Sequence, residues 1–258
     1  MSDTTSESRN LSFGIDVGGS GIKGGIVDLD TGELVGDRFK VLTPRPATPA
    51  AVAQGVGDVV AHFGWEGPVG ITLPCVVTGG HARSAANIDP SWIGTDVYEL
   101  FGRHLPDRLL SVLNDADAAG MAESSYGHAS NEVDGVVIFL TIGTGIGSAI
   151  MYHGMLLPNT ELGHLEIRGK IAEHRASSKI KEDNDWSYEK WTEKLSEVLK
   201  TYEKLFSPML FIAGGGISRK AHKWIPLLTN EVPVVPASLL NTAGIVGAAM
   251  AVKAGLRV

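Results

Sequence analysis

Apolar and polar residues alternate along the start of the chain in three runs, 11–17, 22–29 and 33–41. A period of two marks strands with one buried face. Asp30-Thr31-Gly32 separates the second and third runs and is a strong hairpin signal. Pro44, Pro46 and Pro49 then interrupt the pattern, and a helix is expected from a Thr48 cap, with Pro49 in its first position, to about Phe63. Residues 68–78 read as one buried strand, followed by a long loop over 79–94 and a short helix from about Thr95. The compact apolar run 109–113 predicts a strand, and the alanine-rich stretch 116–126 a helix. A strand over 136–140 is followed by a glycine-rich turn and then the apolar run Ala149-Ile150-Met151. Over 186–206, Tyr188, Trp191, Leu195, Val198, Tyr202 and Leu205 recur at steps of three and four, giving one apolar face of a long helix. Such a face serves either its own core or a second copy of the chain. Residues 181–185 before it read as a solvated turn, with Asp185 or Ser187 as cap. The chain closes with a strand at 209–213, a helix from about Ser218, a strand at 232–236 and a helix over 242–253. Gly244 and Gly247 lower the helicity of that last segment and imply close packing there.

Two junctions carry the candidate chemistry. The first strand ends in Asp16, followed by Gly18-Gly19-Ser20-Gly21 and Lys23 before the next apolar run. This predicts a hairpin with a wide, glycine-lined tip whose N–H groups cradle phosphate oxygens. Gly19-x-Gly21-x-x-Gly24 also matches the dinucleotide fingerprint, but that motif requires a helix at the turn. A Walker A loop is excluded because Gly24, not Ser or Thr, follows Lys23. The second junction, Gly143-Thr144-Gly145-Ile146-Gly147, repeats the strand–turn–strand logic and suggests a duplicated unit.

Composition narrows the field. With 258 residues, 43% hydrophobic and 20% charged, the chain suits a globular enzyme of one large domain or two lobes. Cys75 is the sole cysteine, so disulfides and cysteine zinc sites are excluded and a cytoplasmic location is expected. No apolar run is long enough for a membrane span. The polar residues 1–10 read as a disordered tail rather than a signal peptide. A net charge of −7 argues against a nucleic-acid partner.

In order, the motifs are Asp16-x-Gly18-Gly19-Ser20, Asn114-Asp115, Gly143-Thr144-Gly145-x-Gly147, Gly214-Gly215-Gly216 and Asn241-Thr242-Ala243-Gly244. Together they resemble the actin-like ATPase and sugar kinase superfamily, and within it the ROK family of sugar kinases, over roughly residues 11–253. The stretches 85–95, 161–167 and 210–218 are similar to those of actinobacterial polyphosphate glucokinases. The resemblance implies an α/β, two-lobed, ribonuclease H-like fold with a central interlobe cleft. Its small lobe would be 11–113 plus 242–258, its large lobe 114–241, and the lobes would close on the sugar to expel water. It also implies transfer of a phosphoryl group to glucose from inorganic polyphosphate, and from ATP, with Mg²⁺; some relatives accept mannose. The family's cysteine-rich zinc motif is missing from 169–178, so no zinc is expected.

The resemblance assigns the general base on the sugar 6-hydroxyl to Asp115, which on local pattern alone reads equally well as a helix N-cap. Asp117 reads as a first-turn charge favoured by the helix dipole. Sugar hydroxyls fall to Asn87, Asn114, Asp115, Glu161 and His164, with Glu173 as a further acidic contact and Glu182 as its rival; Glu166 reads as a strand-face charge. Phosphates fall to Gly18, Gly19, Ser20, Gly21, Gly143, Thr144 and Gly145, and Lys23 either meets phosphate or extends outward. Asp16 would orient Mg²⁺ through water, and Gly214, Gly215 and Gly216 would contact the adenosine of ATP. A polyphosphate chain approaching a protein of net charge −7 requires a local basic groove, for which Lys23, Arg45, Arg83, Arg219, Lys220 and Lys223 are candidates. The long helix leaves a homodimer open. Three rivals remain: an ATP-only kinase for another hexose, a sugar-binding sensor without turnover, and a dinucleotide-dependent oxidoreductase.

Overall fold

The computed structural model describes residues 10–85, 88–127 and 133–258. Asn87 therefore lies outside the described residues. Contacts divide the chain into two units, Met1–Leu113 with Ala248–Val258, and Asn114–Gly247.

In the first unit, β1 (Leu11–Gly18) and β2 (Gly21–Asp28) pair antiparallel with Gly18 opposite Gly21. The turn is only Gly19-Ser20, tighter than the wide tip the sequence suggests, and a strand follows it, as the dinucleotide motif forbids. The expected third strand is split into β3 (Glu33–Leu34) and β4 (Phe39–Val41), both on β2, because the backbone turns at Gly36 with φ 81°. Helix α1 (Pro49–Phe63) has the expected ends: Thr48 accepts from the Ala51 N–H, and Gly64 at φ 56° closes it. Its Val52, Val56 and Val59 pack with Phe13, Ile15 and Ile22 of the sheet in one core.

β5 (Val69–Leu73) runs parallel to β1. Pro74 has no N–H to continue a ladder, so the single strand expected over 68–78 breaks. Its remainder, β6 (Val77–Thr78), pairs with β7 (His81–Ala82). Then come α2 (Val97–Gly102), capped by Asp96, and β8 (Leu110–Asn114). The sheet order is β3-β2-β1-β5-β8. The end of the chain is bound into this unit: Ser12 Oγ donates to the Ala249 carbonyl at 2.8 Å, and the Gly80 N–H to the Val258 carbonyl at 3.2 Å.

The second unit begins with α3 (Asp115–Tyr126), then β9 (Val136–Ile142), β10 (Ile146–Tyr152) and β11 (Met155–Leu157). A small hairpin, β12 (Glu166–Ile167) with β13 (Lys170–Ile171), leads into α4 (Ala172–Ala176), α5 (Ser178–Asp183) and α6 (Tyr188–Phe206). β14 (Leu210–Gly214), α7 (Ala221–Trp224), β15 (Val234–Pro236) and α8 (Ala243–Lys253) complete the chain, and the unit division falls within α8. The sheet order is β11-β10-β9-β14-β15. As in the first sheet, an antiparallel pair is extended by a parallel strand, here β14 on β9.

Residues 181–183 belong to α5 rather than to a turn, because Ser177 caps a short helix there by accepting from the Ile180 N–H. Ser187 caps α6. Trp191, Leu195, Val198 and Tyr202 are buried in this unit's own core, with Trp191 edge-on to Trp224 at 5.3 Å. The expected apolar face is therefore filled from within the unit, except Leu205, which is 57% exposed. The helix expected after Ser218 is interrupted, with 3-10 turns at Gly216–Lys220 and Ile225–Leu227 on either side of α7.

Gly70 and Gly247 mark the closest backbone approaches. A Cβ on Gly70 would lie 1.8 Å from the Ala248 carbonyl oxygen, and one on Gly247 1.8 Å from that of Ala118. Neither backbone neighbour can yield as a side chain does. Gly70→Ala is expected to lower the unfolding free energy by about 3 kcal/mol or more, read from the urea midpoint of the first unit.

Candidate active site

The β8–α3 junction sets the phase of α3. Asn114, nearly buried, accepts at Oδ1 from the N–H groups of Ala116 (2.8 Å) and Asp117 (3.2 Å). The N-cap is thus Asn114 and not Asp115. The Asn114 oxygen is thus engaged by the helix. Asp115 is the first helical residue, half-buried, with Oδ1 accepting from the Ala116 N–H at 2.9 Å.

Asp117 lies in the first turn of α3 as expected, but as a buried carboxyl. It is fully buried, Oδ2 accepts from the Asn159 N–H at 2.7 Å, and Oδ1 has no hydrogen-bond partner among the described residues. Burial, with the charges of Glu161 and Asp115 nearby, pushes its carboxyl up to about 7. The fold thus shifts Asp117 toward the neutral acid.

Glu161 and His164 flank a 3-10 turn at Leu162–His164, with 3.8 Å between Glu161 Oε2 and His164 Nδ1. His164 Nε2 lies 3.9 Å from Glu173 Oε1. Glu161, His164 and Glu173 are therefore brought together. Burial raises the Glu161 pKa, His164 opposes the rise and Glu173 adds to it. Glu173 also reaches the second glycine turn, where its Oε2 accepts from the Ile146 N–H at 3.4 Å. A Cβ on Gly145 would meet that oxygen at 2.5 Å, so a side chain there would displace the Glu173 carboxylate from the turn. Glu166 lies exposed on β12, as expected of a strand-face charge.

The turn 143–145 is not a simple ring of inward donors. The Gly143 N–H donates to the Gly145 carbonyl at 3.0 Å, while the Gly143 carbonyl accepts from the Lys179 N–H and the Ser178 hydroxyl. Thr144 stands exposed at the tip. Beside it a cavity of about 460 Å³ is lined by Gly143, Thr144, Ser178, Lys179, Gly216 and Lys220, with Glu182 and Asp183 at its side. Glu182, the rival sugar contact, thus lies here and not with Glu161. Gly214 is buried against the Phe139 ring and is out of ligand reach, whereas Gly215 and Gly216 are exposed. Sequence reasoning missed Lys179: its position depends on α5, which reads as a polar turn.

In the first unit, Asp16 sits between its two neighbouring strands. Its Oδ2 receives Lys23 Nζ at 3.2 Å, and its Oδ1 accepts from Thr72 Oγ1 at 3.2 Å. Lys23 therefore folds back onto Asp16 rather than extending outward. Thr72, buried at the matching register of β5, was not legible in the sequence. Among the described residues no group of three or more His, Cys, Asp or Glu side chains could hold a metal ion. A carboxylate already shared by a lysine and a threonine fits a hydrated Mg²⁺ held through water and phosphate oxygens better than a protein cage. Gly19 and Ser20 are exposed at the tip of this hairpin, whereas Gly21 is packed beneath Lys40. Of the proposed basic groove, Lys220 lines the cavity; Arg219 lies 3.5 Å from Asn241 Oδ1; Arg45, Arg83 and Lys223 are exposed.

Asp117 makes stability depend on pH. Its folded pKa of about 7 lies above the usual 3.8, so the folded state binds the proton more tightly. That contribution is complete below pH about 4 and is lost as pH rises through about 7. Asp117→Asn removes the titration. Between pH 4 and 8, its unfolding free energy relative to wild type should shift in the variant's favour by up to about 4 kcal/mol, measured by urea unfolding across that range.

The described geometry has counterparts among known proteins. The chain is 62% identical over 239 residues to the polyphosphate glucokinase of Mycobacterium tuberculosis, covering 93% of this chain and 90% of that protein. It is 57% identical to the polyphosphate glucokinase of Mycobacterium leprae, over 97% of this chain and 77% of that one. The crystal structure of the inorganic polyphosphate/ATP-glucomannokinase from Arthrobacter sp. strain KM superposes with a TM-score of 0.87 at 48% identity, over 95% of this chain and 99% of that one. A ROK family model matches residues 12–175, and with these relatives it establishes that the chain belongs to the ROK family and has the α/β fold of its sugar kinases.

Proposed function

We propose that the protein is a glucokinase that transfers a phosphoryl group from inorganic polyphosphate, and also from ATP, to the 6-hydroxyl of glucose. The observation that carries this reading is Glu173. One carboxylate adjoins both the Glu161–His164 pair, which suits sugar hydroxyls, and the glycine turn at Ile146, which suits phosphate. Acceptor and donor groups then meet at one place in the second unit. The names of the relatives support the same donor and acceptor, and mannose is proposed as a second acceptor.

In this reading Asp115 accepts the proton of the 6-hydroxyl as the oxygen attacks the terminal phosphorus and the bond to the leaving phosphate breaks. Glu161, His164 and Glu173 hold the remaining hydroxyls and orient the ring, so that binding replaces part of the entropy cost of alignment. Thr144 and Gly145 face the transferred phosphate, while Lys179 and Lys220 meet the donor's negative charge in the cavity. Asp16, with Gly19 and Ser20, is proposed to hold hydrated Mg²⁺ and phosphate oxygens; when bound, the ion neutralises charge on those oxygens. Among the described residues the cavity is lined by glycine, hydroxyl and charged groups with Ile217 and by no aromatic ring, which favours a donor recognised by its phosphates.

The test is glucose 6-phosphate formation with Mg²⁺ and glucose, run in parallel with ATP and with nucleotide-free polyphosphate. Turnover with polyphosphate is expected, with a fall of about a thousandfold in Asp115→Asn while glucose binding by calorimetry persists. Turnover with ATP alone removes the polyphosphate assignment. Sugar binding without turnover from either donor points to a sensor. Lys220→Met is expected to raise the KM for polyphosphate about tenfold, with the KM for glucose unchanged in the same assay.

A further inference from the structure

The segment 159–162 is bolted from three sides. Asn159 sits at φ 60°, a left-handed conformation uncommon for a side-chain-bearing residue, and its N–H is received by buried Asp117 Oδ2 at 2.7 Å. Ser148 of β10 donates to the Thr160 carbonyl at 2.7 Å and accepts from the Leu162 N–H at 2.9 Å. Tyr202 of α6, fully buried, donates its hydroxyl to the Leu162 carbonyl at 2.7 Å. Between these anchors Asn159, Thr160 and Glu161 are partly exposed, the Glu161 side chain by about one third. A carboxyl buried completely for one backbone N–H, with its other oxygen unpartnered, is costly in a fold. The α3 residue thus bears a desolvation cost to set the backbone two residues ahead of Glu161.

We infer that Asp117 is a positioning residue for the sugar site: through the Asn159 N–H it holds the 159–162 segment so that Glu161 meets the acceptor sugar. The inference rests on the reading of Glu161 as a sugar contact. It predicts a defect confined to the acceptor, because the described residues that line the donor cavity do not include 159–162. A purely structural Asp117 would instead lower the melting temperature and the active fraction, leaving both KM values alone.

The experiment is a double-mutant cycle of Asp117→Ala and Glu161→Gln, with KM for glucose, KM for polyphosphate and kcat measured separately. Asp117→Ala is expected to raise the glucose KM about tenfold, with the polyphosphate KM within about twofold of wild type. Asp117→Asn, which keeps an acceptor for the Asn159 N–H, should restore the glucose KM to within about threefold. The double variant should be no worse in glucose KM than Glu161→Gln alone, since Asp117 acts through Glu161. Where the alanine variant does not fold, Asp117→Leu, similar in shape and without an acceptor, carries the same cycle. Effects that multiply, or an unchanged glucose KM in Asp117→Ala beside a raised one in Glu161→Gln, overturn the inference and leave the sugar site standing. An unchanged glucose KM in Glu161→Gln removes the sugar-site reading, and the inference with it.

Discussion

The arrangement of acids in the second unit depends on one hydrogen-bonded cap. Asn114 Oδ1 holds the N–H groups of Ala116 and Asp117, and this fixes the rotational phase of α3 at its first turn. Residues two apart on a helix point in directions about 200° apart. With the phase set, Asp115 is left at the half-exposed edge while Asp117 is driven into the interior. A helix starting one residue later would rotate both side chains by about 100° and lose this division. Two aspartates of identical chemistry thus acquire different environments, one half-exposed and one buried with its pKa pushed up to about 7, because burial and not residue type shifts the balance between the two forms.

Much of the fold is legible because its signals are local. Thr48, Pro49 and Gly64 mark both ends of α1, and each acts through atoms within a few residues. The alternating runs gave β1 and β2, and Asp30-Thr31-Gly32 the turn after them. The errors at 33–41 and 68–78 are of another kind: Gly36 and Pro74 were visible, but an apolar run outweighed a single interrupting residue. Whether such a residue ends a strand depends on which neighbour its next residues can pair with, and β6 finds β7 instead of continuing beside β1.

The site divides in the same way. Glu161 and His164 are three apart, so one turn of chain brings them together. Asp117 could not be read, because its hydrogen-bond partner, the Asn159 N–H, lies forty-two positions away in sequence. Lys179 was invisible for a related reason: the Gly143 carbonyl accepts its N–H, so a distant glycine turn brings the start of α5 to the cavity. Glycine patterns located the turns correctly but not their inner bonding, since the Gly143–Gly145 contact closes a donor that the pattern alone leaves open.

The return of the last residues to the first unit bears on the order of assembly. Ser12, Gly70 and Gly80 all meet partners between Ala248 and Val258. During translation the residues before Asn114 are made early but lack those partners until residues 248–258 follow. The second unit is continuous in sequence and has every partner of its own sooner. The first unit is therefore completed after the second, and in the interval the β5 backbone at Gly70 stays uncovered, a stage at which chaperone binding has surface to act on.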